Sequence, residues 1–80
     1  MRDEIINAVR QSFASDEVQK VLDNLNSITL KDVMAESESN LNNTYLAILK
    51  LSKGNLQELI RFTKCAKKDF RDVIYWASLE

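Results

Sequence analysis

A chain of 80 residues with one Gly, no Pro and 45% hydrophobic residues has the apolar content for a core but almost none of the turn residues a small β fold requires. One cysteine and no histidine exclude an internal disulfide, a multi-thiolate or histidine-based zinc site and a histidine-dependent hydrolytic triad. A formal charge of −1 excludes a long-range pull of the whole molecule on nucleic acid or membrane, so any such binding has to be local.

In chain order, Ile5, Ile6, Val9 and Phe13 recur at helical spacing, and Asp3 and Glu4 fall in the first turn, where the helix dipole favours anions. A helix is expected over 2–13. Ser15 offers a side-chain oxygen to cap a second helix, with Val18, Val21, Leu22 and Leu25 as its apolar stripe and an end near Asn26. No proline forces a break at 13–15, and two helices are preferred to one kinked helix. Residues 27–39, SITLKDVMAESES, lose the period and collect Ser and Asp, which compete with the backbone for hydrogen bonds. This is the main connection. Within it Thr29 and Asp32 have the spacing of a cap for a single turn that would pin Leu30, Val33 and Met34 to the core.

From Glu38 the helical period returns through Leu41, Tyr45, Leu46, Ile48, Leu49 and Leu51 and stops at Gly54, the favoured residue for a left-handed cap. These side chains surround most of the circumference, which places the helix centrally. Asn55 caps the next helix, with Glu58 spaced to reach back, and Leu56, Leu59, Ile60, Thr63 and Ala66 form its inner face. Asp69 caps a last helix in which Phe70, Val73, Ile74 and Ala77 share one side and Tyr75 and Trp76 stand at the flanks. The expected fold is all-α, a compact bundle of four or five short helices around a central apolar helix at about 38–53. Residues 1–80 are read as one helical domain, with Leu79-Glu80 set aside as the start of a tag linker.

Charge divides unevenly: residues 1–38 carry eight acidic and four basic side chains, residues 39–80 seven basic and four acidic. Either the halves dock on each other or the second presents a basic surface to a partner. Arg61, Lys64 and Lys68 are spaced i, i+3, i+7 on one helix face, with Lys67 and Arg71 close by. Acidic protein or a nucleic-acid backbone would fit such a stripe, and its bland counterpart is a solvated face paired with Glu58, Asp69 or the acidic N-terminal helices. Tyr75 and Trp76 are either interface anchors, a homodimer seam among them, or the completion of a small core, and the core is the plainer reading.

Catalytic chemistry finds no purchase. There is no Gly-rich phosphate loop, G-x-S-x-G elbow or calcium loop. The carboxylates of Asp23, Asp32, Glu36 and Glu38 lie in or near the long connection at a spacing that matches no calcium or magnesium loop. Cys65, expected partly exposed beside Arg61, Lys64 and Lys68, lacks a resolving partner. No catalytic, cofactor-binding or metal-ligating residue is assigned. No run approaches the roughly 18–20 apolar residues of a membrane span, and MRDEIINAVR lacks the layout of a signal peptide, which predicts a cytoplasmic protein with no membrane contact.

The second half, LAILKLSKGNLQEL followed by AKKDFRDVIYWA, resembles a family of short, uncharacterised bacterial helical proteins whose C-terminal halves read as a LAILKLS helix, a Gly turn and an AK-x-D-Y-R-D-V-x-x-W-A ending. The resemblance spans about 44–77 and rests on residues 46–52, Gly54, Leu56, Leu59, Ala66, Lys67, Asp69, Arg71, Asp72, Val73, Trp76 and Ala77. Phe70 stands where the family has Tyr, and the acidic-Tyr-Pro end after Trp-Ala is missing. The resemblance implies a bacterial, cytoplasmic helical protein and brings no activity, cofactor or site residue. The sequence therefore predicts a small non-catalytic protein-interaction or regulatory module using Arg61, Lys64, Lys68, Arg71, Tyr75 and Trp76, with nucleic-acid binding through the basic stripe as the alternative.

Overall fold

Local chemistry takes over from the backbone ladder at several helix ends of this chain in the computed structural model, which describes residues 3–32 and 38–80. The elements are α1 (Asp3–Ser12), α2 (Val18–Asn26), α3 (Glu38–Ser52) and α4 (Leu56–Ser78). The chain is an all-α bundle in which α3 packs chiefly on α4 and also meets α1, while α2 bridges α1 and α4.

The start of α2 differs from expectation. Its N-cap is Glu17, in helical conformation at φ −97°, ψ −18° and with no side-chain cap. The Glu17 N–H instead donates to the Ala14 carbonyl at 2.8 Å. A backbone turn thus carries the chain into the helix, and Ser15 is left exposed. Beyond α2 the Thr29–Asp32 cap forms as expected, in both directions. Asp32 Oδ2 accepts from the Thr29 N–H at 2.8 Å, and Thr29 Oγ1 accepts from the Asp32 N–H at 3.4 Å. Leu30 does not pin this turn, since it is 42% exposed. Ile28 does so from the buried side, and its carbonyl accepts from the Tyr45 hydroxyl at 3.5 Å. Val33, Met34, Glu36 and the side chain of Glu38 lie outside the described residues.

The end of α3 needs its glycine twice over. Lys53 (φ 50°) and Gly54 (φ 78°) both enter the left-handed region, where a β-carbon costs about 1–2 kcal/mol. A Cβ at Gly54 would also stand 2.7 Å from the Ser12 carbonyl oxygen at the end of α1. Asn55 then caps α4, its Oδ1 accepting from the Glu58 N–H at 3.0 Å, while the Glu58 carboxylate turns forward to Arg61.

The cap foreseen at Asp69 is present inside α4. Asp69 is extended at φ −153°, ψ 100°, so α4 consists of two helical stretches, 56–68 and 70–78, on either side of one non-helical residue. Asp69 Oδ1 accepts from the Arg71 N–H at 3.0 Å, satisfying one of the amides that a new helix leaves without a partner.

The core gathers one stripe from every helix: Ile5 and Val9, Val21 and Leu25, Ile48, and Leu59, Ala66 and Val73 are all fully buried. Each larger side chain contributes about 1.5–3 kcal/mol through removal from water. The central helix, α3, is less uniformly apolar inside than its composition implied. Asn42, Thr44 and Ser52 are buried, and Leu46 is exposed. The hydroxyls of Thr44 and Ser52 donate to the Asn40 and Leu49 carbonyls at 2.8 and 3.1 Å, and Asn42 Nδ2 donates to Glu4 Oε1 at 3.2 Å, tying α3 to α1. Among the described residues no helix is long and apolar enough to cross a membrane.

Candidate partner-binding surface

The inner face of the 56–68 stretch is set by Leu59, Thr63 and Ala66, so the residues a half-turn away must face water. Arg61, Lys64, Lys67 and Lys68 are all exposed there. The stripe is real as a surface, and its charges divide into two kinds. Arg61 is held by Glu58, Nε to Oε2 at 2.6 Å. Arg71, beyond the break, is held in a fork by Asp69, with Nε and Nη2 donating to Oδ1 and Oδ2 at 3.0 and 3.1 Å. Those side-chain bonds, then the Arg71 backbone N–H, hold the Asp69 carboxyl below the usual carboxylate range, and the same pairing raises the Arg71 guanidinium. Among the described residues no carboxylate pairs with Lys64, Lys67 or Lys68.

The ion pairs between described residues do not make the expected docking of an acidic half on a basic half. Among the described residues the bridges are Glu58–Arg61, Asp69–Arg71 and Lys53–Glu80, all within the second half.

The aromatic end also departs from expectation. Tyr75 is 61% and Trp76 38% exposed, so the core is completed by Val73 and Ala77 and the two rings stay at the surface. Trp76 meets the ring of Phe62 edge-on, with centroids 6.3 Å apart and planes at 61°, a geometry worth about 0.5–1.5 kcal/mol. The Arg61 guanidinium lies 4.3 Å from the centre of the same Phe62 ring. In an unbroken helix residues 62 and 76 would stand about 21 Å apart along the axis. The contact exists because the break at Asp69 turns the 70–78 stretch back, and it joins the basic stripe to the aromatic edge through Arg61.

No family model, curated protein or solved structure matches the chain. The surface therefore has to be read from its own chemistry.

Two parts of it escaped the sequence. Phe62 carries no mark of its role, because its partner is fourteen residues away and only the angle at Asp69 brings them together. Leu46, placed in the core by its period, lies instead in an open groove of about 240 Å³ with Asn43, Ala47, Lys50, Ile74, Ala77 and Ser78. The helix was apolar on more sides than it had neighbours.

Chemically the surface offers cations and rings. Cys65 is half-buried against the core, partly exposed as expected. Asp23 accepts from the Gln19 amide at 2.8 Å and Asp32 belongs to the Thr29 cap. Among the described residues no three side chains gather as metal ligands.

Proposed function

We propose that this protein is a small, non-catalytic interaction module that binds an acidic protein surface through Lys64, Lys67 and Lys68, with Arg61 and Trp76 as the anchoring edge. The observation that carries this reading is the juxtaposition of three cations that have no carboxylate partner among the described residues and a half-open Trp, the two linked by Arg61 stacked on Phe62. Unpaired lysines supply attraction and orientation to an acidic partner, and Trp and Arg are the side chains that most often carry binding energy at protein interfaces. The resemblance over 44–77 agrees with a bacterial, cytoplasmic setting.

The test compares the wild-type protein with a Lys64→Glu/Lys67→Glu/Lys68→Glu variant and with Trp76→Ala as baits in nuclease-treated lysate. A stoichiometric protein lost from both variants is the expected result. Loss on nuclease treatment, with a steep salt dependence of binding to a nucleic acid, moves the reading to the phosphate backbone, for which lysines alone suffice and Trp76 is dispensable. Equal capture by the triple variant retires the stripe.

A further inference from the structure

The break in α4 is made by one residue, with no proline or glycine and no left-handed backbone. Around it, AKKDFRD is a sequence that an α-helix accepts, and Asp69 itself is extended, a conformation any residue adopts. Nothing in the covalent chain therefore prevents the ladder from running straight through. What keeps α4 folded back is the Asp69 side chain, capping the Arg71 amide, and the packing of Val73, Ala77 and Trp76 on the rest of the molecule. If residue 69 turned helical, the 23 residues of α4 would form a rod of about 34 Å, and the 70–78 stretch would be carried away from its own core. Its apolar side would be bare, and so would the seat it had left.

The complement to both is a second copy of this chain. We infer that Asp69 is the hinge of a domain exchange, in which two molecules with straightened α4 helices trade their 70–78 stretches. Val73 and Ala77 of each copy fill the other's core, and Trp76 meets the other's Phe62. Every contact of the closed molecule is remade in the dimer. The interactions given up are those of the Asp69 carboxylate, its cap on the Arg71 amide and its fork on the Arg71 guanidinium, since residues two apart do not face each other on a helix. Against them the chain gains an unbroken helical ladder. Hinges this short are the ones that favour exchange, because closure and extension differ at so few bonds.

The test uses the full-length chain. Asp69→Ala removes the cap and supplies the best helix former, whereas two glycines inserted after Asp69 lengthen the hinge and let each copy close on itself. Equal amounts of isotope-labelled and unlabelled Asp69→Ala protein are unfolded together and refolded at high concentration. The mass in solution is then measured, together with nuclear Overhauser contacts filtered for pairs between molecules. The expected result is a dimer showing Phe62–Trp76 contacts between copies, with the glycine-insertion protein monomeric and showing the same contact within one copy. A helical Asp69→Ala protein that remains monomeric across the concentration range overturns the inference, as does a dimer whose Phe62–Trp76 contact stays within a copy. Should Asp69→Ala fail to fold, the same labelled mixture of wild-type protein, held just below its melting temperature and cooled, decides: exchanged dimers support the hinge, and complete return to monomer overturns it.

Discussion

Two places in the second half of the chain stop a helix, and they do so by different physics. At Lys53-Gly54 the stop is stereochemical: two successive left-handed residues and a carbonyl against the glycine leave no room for another side chain. At Asp69 it is chemical, made by a carboxylate on the next turn's amide and guanidinium. The first is written into the covalent chain and indifferent to solvent. The second is held by groups that titrate and by packing from elsewhere, so it can be unmade. A turn that must not move uses glycine, and one that is able to move uses a side chain.

The sharpest way to break this contrast is Gly54→Ala. The left-handed backbone alone costs about 1–2 kcal/mol and the 2.7 Å approach to the Ser12 carbonyl adds to it, so a loss of more than about 2 kcal/mol in urea-monitored stability is expected. An alanine there that costs nothing would remove the stereochemical account. Next comes Val73→Ala, which leaves the Asp69 cap intact but removes two buried methyl groups from the folded-back stretch. At about 0.8 kcal/mol per buried carbon plus a cavity term, roughly 2 kcal/mol is expected, together with faster proteolysis at 68–71 than elsewhere. Cleavage spread evenly over the chain would show that the stretch does not open separately. Thr29→Ala, at a two-way cap remote from both stops, should cost about 1 kcal/mol, and serves as the measure of what a side-chain cap contributes here.

The smallest expected effect is that of pH on Asp69. Its carboxyl is held below the usual range by Arg71, so the folded form binds this proton less readily than the unfolded chain, whose value is about 4. The stabilisation is therefore full above about pH 4 and fades as the pH falls through the lower folded value. Asp69→Asn keeps a capping oxygen but cannot titrate. The difference between the two proteins' urea midpoints should be constant near neutrality and shrink in acid, and a difference that ignores pH would dissociate the pair from stability.

Much of the fold was legible because its punctuation is local. The left-handed turn at Gly54, the Asn55 and Asp69 caps and the Thr29–Asp32 pair act on their own neighbours within three residues, which is the range over which a sequence can be read directly; the approach of Gly54 to the Ser12 carbonyl lies outside it. Ser15 misled for the same reason in reverse: the side chain was suitable, but a backbone turn from Ala14 reached the helix first. The surface was harder. The basic stripe needed only helical spacing and is where it was expected. The exposure of Tyr75, Trp76 and Leu46 depends on which flank of each helix a neighbour covers, and no spacing within one helix records that. Phe62 and Trp76 meet only through the angle at Asp69, a quantity no periodicity contains.

The molecule has one tryptophan, and it sits on the moving side of the break with its edge on Phe62 and over a third of its surface open. The hinge therefore reports on itself. Swinging the 70–78 stretch away would strip the indole of its neighbouring ring and shift its emission to the red. Re-docking on another copy would restore the original spectrum with twice the mass and slower tumbling. Emission wavelength and anisotropy, read together on the unlabelled protein, separate closed, open and exchanged forms without altering a single residue.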